Sequence, residues 1–212
     1  GEHIVVFGLG VVGLLAIQIL IANGCNVVGV DFDAKRLAIA KKFGAKVIDL
    51  KKVSEPLRVI QRITKGVGVD AAIICTSTQS ANPIRQAAQM CRHRGRIILV
   101  GVTKLTLTRE EFYKKELSFQ VSCSYGPGRY DKTYEEMGID YPVGYVRWTE
   151  QRNFSAVLEL MSKGKINVEG MVSHSFEFAN VKSAYDVLNG SESSLGILLR
   201  YPKTFDARSS IR

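Results

Sequence analysis

The sequence predicts an α/β fold in which helices cover both faces of a doubly wound parallel sheet. Short apolar runs alternate with segments of helical periodicity from residue 4 to residue 101. The apolar runs are almost continuous, as expected of parallel strands that are buried on both faces. A glycine-rich turn, Gly8-Leu9-Gly10-Val11-Val12-Gly13, joins the first run directly to the first helical segment. Right-handed crossovers between such strands place a ligand at their carboxyl ends.

The elements of this first part follow one another in a regular order. Strands are predicted at 4–7, 26–30, 46–49, 69–75 and 96–100, with a turn at Arg94-Gly95 before the last of them. Helices are predicted at 14–20, 34–43, 54–64 and 81–91. Asp33 is a suitable N-cap for the second helix, and Gly44 is a suitable stop.

The pattern changes after residue 101. A sixth strand is predicted at 116–122, an amphipathic helix at 153–163, a helix at 181–188 and a strand at 196–201. Residues 126–152 are rich in Tyr, Gly, Pro and charge, and they are too many for a simple connection. We call residues 126–152 the Tyr-rich excursion.

Composition and charge exclude several classes of protein. The net charge of +9 comes from Lys and Arg that are scattered singly or in pairs, which indicates solvated helix faces and no nucleic-acid partner. Residues 4–22 carry no charge, but three glycines and Gln18 interrupt them, so no membrane span is expected. The four cysteines are widely spaced, and this favours reduced thiols in a cytoplasmic protein over a disulfide framework or a zinc site.

The glycine-rich turn and its surroundings form a dinucleotide-binding fingerprint. Gly8 permits a tight turn, Gly10 lets the backbone approach a pyrophosphate, and Gly13 lets the helix pack closely on the strand. The start of the helix offers free N–H groups and a positive dipole end to phosphates. Asp31 ends the next strand, where its carboxylate can bind both hydroxyls of an adenosine ribose and would repel a 2′-phosphate. The pattern therefore predicts NAD binding in preference to NADP.

Several further segments resemble the medium-chain alcohol dehydrogenases. They are residues 5–13, 28–31 with Arg36-Leu37, 41–45, 68–73 and 94–101, all at the spacing of that family. Residues 124–131 and 140–150 are similar to bacterial two-domain oxidoreductases, in which such a unit precedes a domain of the glucose–fructose oxidoreductase type. The resemblance implies hydride transfer between NAD(H) and an alcohol or carbonyl substrate, with a sugar or polyol as one option. The implied partners are this small-molecule substrate and further copies of the same chain.

The resemblance also implies an organisation of the chain. Residues 1–165 would form a dinucleotide-binding Rossmann domain, residues 166–202 would return to a barrel-like catalytic domain that is absent here, and residues 203–212 would be a linker or tail. The catalytic residues and the zinc ligands of the family lie mostly in that absent N-terminal domain. We expect no metal site in this chain, and His174 is interpreted as a structural or surface residue.

Site residues follow from the resemblance position by position. The pyrophosphate would lie at Gly8, Gly10, Val11, Val12 and Gly13, and the adenosine at Asp31, Arg36, Cys75 and Thr76. The nicotinamide would lie beside Val100, Gly101, Val102, Cys123 and Ser124. A polar substrate rim at Arg129, Tyr130, Arg147 and Trp148 is a hypothesis, and an ordered surface excursion with Arg stacked on aromatic rings is the alternative.

Three other functions compete with this interpretation. A short-chain dehydrogenase needs Tyr-x-x-x-Lys, and no tyrosine of this sequence has Lys four residues later. A methyltransferase usually has a different turn and an antiparallel final hairpin. A non-catalytic NAD-sensing regulatory domain resembles residues 4–33 closely, but it lacks the glycine-punctuated fourth and fifth strands and the Tyr-rich excursion.

Overall fold

A computed structural model describes residues 1–190 and 192–202 of the chain. Six strands form one sheet: β1 (His3–Phe7), β2 (Asn26–Asp31), β3 (Lys46–Asp49), β4 (Val69–Ile74), β5 (Cys91–Leu99) and β6 (Ser118–Val121). Their spatial order is β3-β2-β1-β4-β5-β6, and every neighbouring pair is parallel. The doubly wound Rossmann fold is confirmed. Its order reverses between β1 and β4, which is where such sheets bind ligands.

Four helices make the crossovers between the first five strands. They are α1 (Val11–Ala22), α2 (Ala34–Lys42), α3 (Pro56–Ile63) and α4 (Asn82–Met90). The Asp33 side chain accepts hydrogen bonds from the N–H groups of Lys35 and Arg36, so it caps α2 as predicted. Gly44 follows α2 with a φ of +96°, a conformation that glycine adopts without steric cost.

The core lies along the apolar strands and under the helices that cover them. Val5, Val28, Ile74 and Ile97 are at most 1% exposed. Burial of one such side chain contributes roughly 1.5–3 kcal/mol to stability. The framework that carries the carboxyl ends of β1, β2, β4 and β5 is therefore rigid.

The start of β5 differs from the prediction. The sequence predicts a turn at Arg94-Gly95 before a strand, and it places Cys91 at the end of a helix. In the structure α4 ends at Met90, and Cys91 already pairs with Val69 of β4. The register shifts before Arg96 pairs with Ala71, and Arg94 has a φ of 58° inside this irregularity. The turn-like residues thus form an irregular part of β5, because the neighbouring strand supplies pairing that the sequence does not reveal.

The segment between β5 and residue 166 contains three more helices. They are α5 (Arg109–Tyr113), α6 (Lys132–Glu135) and α7 (Glu150–Ser162). The helix predicted at 153–163 is α7, which begins three residues earlier, and the sequence does not predict α5 and α6. Phe154 and Leu158, on the apolar face of α7, are 62% and 63% exposed.

The chain divides into two compact units, Gly1–Ile166 and a second one that begins at Asn167. The second unit holds β7 (Val172–Glu177), α8 (Val181–Asn189) and β8 (Gly196–Arg200). β7 and β8 form a parallel two-stranded sheet, and α8 packs on both strands. The predicted linker at 203–212 lies outside the described residues. None of the described helices has the length and apolarity that crossing a bilayer requires.

Candidate functional site

The glycine-rich turn is held so tightly that two of its glycines leave no room for a side chain. A Cβ atom on Gly13 would lie 1.9 Å from the carbonyl oxygen of Gly8. Gly8 itself has a φ of +84°, and a Cβ there would lie 2.7 Å from Cγ2 of Thr76. Gly10 differs, because its φ is −69° and a Cβ would meet no atom within 4 Å. Open space beside the backbone of Gly10 is what a close-lying diphosphate needs.

The N-terminus of α1 faces the same turn. Gly10 is the N-cap, and the first helical hydrogen bond runs from the N–H of Leu14 to the carbonyl of Gly10. The preceding N–H groups, at residues 11–13, therefore have no intrahelical acceptor. Such groups, together with the helix dipole, bind anions. Val11 and Val12 are 36% and 55% exposed.

The carboxylate of Asp31 ties two loops together at the switch point of the sheet. Its Oδ2 accepts a hydrogen bond of 2.6 Å from the N–H of Leu9, inside the glycine-rich turn. Its Oδ1 accepts from the N–H groups of Phe32 and Asp33, at 2.7 and 2.9 Å. The predicted ribose ligand is thus also a structural link between β1–α1 and β2–α2. The sequence alone does not reveal this second role.

A cleft of about 630 Å³ opens beside these loops. Six predicted site residues line it: Gly8, Gly10, Asp31, Arg36, Cys75 and Thr76. The Oγ1 hydroxyl of Thr76 is buried and has no hydrogen-bond partner in the described structure. Burial raises the pKa of the Cys75 thiol to about 11, so this group is neutral near pH 7. A carboxylate at the edge of the cleft suits a ligand with hydroxyl groups.

The same cleft has lining residues that the sequence reasoning missed. They come mainly from the loop after β4 and the start of α4: Ser77, Thr78, Ser80, Asn82, Pro83 and Gln86. Their position in the sequence could have predicted this role, because they directly follow Cys75-Thr76 at the carboxyl end of a predicted strand. Phe32 and Leu50, which follow the carboxyl ends of β2 and β3, also line the cleft.

The ends of β4 and β5 are joined beyond the sheet. Ser77 forms a parallel bridge with Val102, and the N–H of Thr78 donates to the carbonyl of Val102 at 2.8 Å. A Cβ atom on Gly101 would lie 2.1 Å from the carbonyl oxygen of Thr76, so only glycine fits. The residues on either side of Gly101, Val100 and Val102, are 40% and 67% exposed. They present an apolar surface beside the cleft.

Cys123 and Ser124 lie just past the carboxyl end of β6. Both are exposed, and Ser124 has a φ of 42°. Neither lines the cleft described above. The N–H of Gly126 donates to the carbonyl of Cys123 at 2.7 Å, which turns the chain into the Tyr-rich excursion.

The four residues of the hypothetical substrate rim lie in that excursion as two cation–aromatic pairs. The guanidinium of Arg129 lies 4.2 Å from the ring centre of Tyr130, and that of Arg147 lies 4.3 Å from the ring of Trp148. Arg129 also forms an ion pair with Glu135. Tyr130 is 76% exposed and Trp148 50%. The geometry is that of an Arg stacked on an aromatic ring, and substrate contact by these residues stays a prediction.

Within residues 1–190 and 192–202, no three His, Cys, Asp or Glu side chains come together as metal ligands would. His174 has two polar neighbours: its Nδ1 lies 2.8 Å from Oγ of Ser173, and its Nε2 lies 3.3 Å from Oε1 of Glu192. It also stacks on Phe176. The described residues do not fit a catalytic zinc ion.

Comparison with known families identifies the chain. A model of the family described as zinc-binding dehydrogenase matches residues 11–140. The chain belongs to this family. The matched region runs from the first residue of α1 into the Tyr-rich excursion, so it includes Asp31, the end of β4 and the end of β5.

Individual relatives are similar over most of this chain. D-arabitol-phosphate dehydrogenase of Enterococcus avium is 28% identical over 197 residues, which are 90% of this chain and 49% of that protein. The 2R,3R-butanediol dehydrogenase of Bacillus subtilis has the same fold, with a TM-score of 0.73, 24% identity and coverage of 94% and 51%. An alcohol dehydrogenase of Escherichia coli CFT073 complexed with NADH gives a TM-score of 0.69, 23% identity and coverage of 94% and 52%. The chain spans about half the length of the relatives it matches.

Proposed function

We propose that the first unit binds NAD(H) across the carboxyl ends of its sheet and serves hydride transfer to or from an alcohol, polyol or carbonyl substrate. The observation that carries the proposal is the cleft, where open space at Gly10 and the Asp31 carboxylate occur together. The NADH complex of the Escherichia coli alcohol dehydrogenase, which has the same fold, supports the choice of cofactor.

Each part of the cleft has a distinct task in this proposal. The N–H groups at the start of α1 hold the diphosphate, because they lack helical acceptors. Asp31 accepts hydrogen bonds from the adenosine ribose while its present bonds keep the glycine-rich turn in place. Arg36 borders the adenine, and Thr76 lines the same cleft.

The other half of the cofactor would extend past Gly101 toward β6. Val100 and Val102 give one face of the nicotinamide an apolar support, and the chain at Cys123 and Ser124 closes the pocket. When bound, the cofactor supplies a carbon that accepts or donates hydride. This chain contributes to catalysis by holding that carbon in place against the substrate. The cation–aromatic pairs of Arg129, Tyr130, Arg147 and Trp148 are proposed as a rim that contacts the substrate.

We assign the remaining functions of the whole protein to parts other than the first unit. Residues 166–202 would complete a barrel-like catalytic domain, and the zinc and the catalytic residues would belong to that domain. We also propose a bacterial two-domain enzyme with a glucose–fructose oxidoreductase-type domain.

Exposed apolar residues of the second unit, such as Tyr185, Leu188 and Leu198, support self-association. The free thiols of all four cysteines support a cytoplasmic location.

A single glycine tests the cofactor proposal. Gly10→Ala places a methyl group where the chain itself has open space, and alanine is only a poorer N-cap than glycine, so we expect unfolding stability to fall by no more than about 1 kcal/mol. The same methyl group would separate the diphosphate from the backbone, and NADH affinity should fall at least about tenfold. Gly170→Ala is the matched control, because a Cβ there also meets nothing within 4 Å and the residue lies in the second unit.

Calorimetric titration with NADH and NADPH provides the measurement. We expect NADPH to bind more weakly than NADH, since Asp31 would repel the 2′-phosphate. If Gly10→Ala binds NADH as tightly as the wild-type chain, the proposed position of the diphosphate is wrong. The regulatory alternative is not favoured, because the similar proteins are dehydrogenases.

A further inference from the structure

The Tyr-rich excursion carries an open pocket of its own, with a volume of about 310 Å³. We call it the excursion pocket. It is lined by residues of the excursion, which include the first turn of α7, and by the tyrosine that precedes it: Tyr125, Tyr134, Glu135, Gly138, Asp140, Glu150 and Gln151. It shares no lining residue with the cofactor cleft and none with the predicted substrate rim. A volume near 300 Å³ is at the lower end of the range for small-molecule sites.

One wall of the excursion pocket is a fixed aromatic surface. The ring of Tyr134 stacks on Tyr141, with ring centres 5.7 Å apart, and lies 6.2 Å from the ring of Tyr125. A Cβ atom on Gly128 would lie 2.5 Å from the Tyr134 ring, so the backbone of Gly128 packs directly against that ring. The Tyr134 hydroxyl accepts a hydrogen bond of 3.1 Å from the N–H of Glu150. The wall is therefore ordered before any ligand arrives.

Polar bonds also hold the excursion in shape. Arg152 donates to a carboxylate oxygen of Asp140 at 2.7 Å and to the carbonyl of Tyr141 at 2.6 Å. It also donates to the carbonyl of Val146. Across the pocket, Glu135 accepts hydrogen bonds from Tyr125 and Arg129. Arginines thus neutralise two of the three carboxylates that line the pocket.

The third carboxylate and the amide beside it are free. Within the described chain, the side chains of Glu150 and Gln151 make no hydrogen bond and no ion pair, and both residues line the pocket. The residues that line the pocket therefore offer a phenol hydroxyl, an amide that donates and accepts, and one uncompensated negative charge. Hydroxyl groups can use each of these partners, whereas a phosphate would meet the unpaired charge of Glu150.

We infer that the excursion pocket is a subsite for a neutral polyhydroxylated ligand, a sugar or polyol, and that it disfavours the phosphorylated form. This inference rests on the proposed function, because it assigns a substrate class to the same enzyme. Tyr125 follows Val121, the last residue of β6, by four positions, so their Cα atoms are at most about 14 Å apart. The pocket thus begins near the sheet edge where the nicotinamide is proposed.

The test compares neutral and phosphorylated ligands on the wild-type chain and three variants. D-Glucitol, D-glucose and D-glucose 6-phosphate are titrated by ligand-observed NMR, and NADH affinity is measured on the same samples. Glu150→Gln removes the free charge and Gln151→Ala removes the amide. Glu159→Gln is the matched control, because it makes the same chemical change on the same helix away from the pocket. Near-UV circular dichroism checks that each variant is folded.

We expect saturable binding of glucitol and glucose, weakened at least about fivefold by Glu150→Gln and by Gln151→Ala and changed less than about twofold by Glu159→Gln. Glucose 6-phosphate should bind at least about fivefold more weakly than glucose, and Glu150→Gln should bring the two affinities closer together. If Glu150→Gln does not fold, the effect of Gln151→Ala on the binding of glucitol and glucose tests the inference by itself.

Three results would overturn the inference: no saturable binding of either neutral ligand, glucose 6-phosphate binding as tightly as glucose, or equal effects of Glu150→Gln and Glu159→Gln. NADH binding without sugar binding would remove the subsite and leave the proposed function intact. Sugar binding without NADH binding would support the subsite and contradict the proposed cofactor site.

Discussion

Replacing Asp31 by Asn should destabilise the chain even when no cofactor is bound. The carboxylate accepts three backbone hydrogen bonds, from Leu9, Phe32 and Asp33. An amide has only one oxygen, so the substituted side chain must turn its NH2 group toward at least one of these N–H donors. Leu9 is fully buried, and its N–H would find no water in place of the carboxylate.

The expected magnitude follows from these contacts. A hydrogen bond to a charged acceptor contributes about 1.5–3 kcal/mol, and an unsatisfied buried donor costs a similar amount. Phe32 is exposed, so water can replace its bond. We therefore expect Asp31→Asn to lower the free energy of unfolding by about 2–3 kcal/mol. For a chain of this size the thermal midpoint should fall by roughly 4–12 °C.

Asp49→Asn is the matched control. Asp49 also ends a strand of the same sheet, but its carboxylate accepts one backbone hydrogen bond, from the exposed N–H of Lys51 at 2.9 Å, and forms a surface ion pair with Lys52 at 3.8 Å. Its replacement should cost no more than about 1 kcal/mol. Urea unfolding without NADH measures both variants. Equal destabilisation by the two substitutions would refute the structural role of Asp31.

Three further predictions concern single contacts. Gly101→Ala should lower unfolding stability by at least about 3 kcal/mol in urea denaturation, because its Cβ would lie 2.1 Å from the carbonyl oxygen of Thr76; wild-type stability would contradict this packing. Burial raises the pKa of Asp70, but hydrogen bonds from Arg92 and from a backbone N–H outweigh it and leave that pKa below its usual 3.8. The difference in free energy of unfolding between wild-type and Arg92→Ala should therefore be largest above about pH 5 and should shrink below about pH 4, as Asp70 is protonated. A difference that grows in acid would refute the pairing of Arg92 with Asp70. The Cys75 thiol, with a pKa of about 11, should react slowly with iodoacetamide at about pH 8 and more slowly still with NADH bound. Peptide mapping measures the rate of modification. An equal rate with and without NADH would contradict cofactor binding beside Cys75.

Most of the sheet could be predicted because its evidence is local. Continuous apolar runs and the glycine-rich turn specify β1, β2, β4 and their order, since each signal lies within a few neighbouring residues. The start of β5 could not be predicted in the same way. Arg94-Gly95 has the composition of a turn, and only pairing with β4 makes it part of a strand.

The cofactor cleft was predicted in part for the same reason. Gly10 and Asp31 belong to a compact motif, whereas the polar loop that contains Ser77 and Thr78 has no periodic signal. It lines the cleft because Val102, at the end of a different strand, holds it there. The contacts of the Tyr-rich excursion were equally hidden, since Arg152 binds residues that precede it by 6 to 12 positions without a repeating pattern.

A crystal structure of the chain with bound NADH is the decisive measurement for the proposed cofactor site. We expect the diphosphate to lie against the N–H groups of residues 11–13, beside Gly10, and the adenosine ribose hydroxyls to bind the Asp31 carboxylate. A cleft without cofactor at saturating NADH, or a ribose that does not contact Asp31, would contradict it.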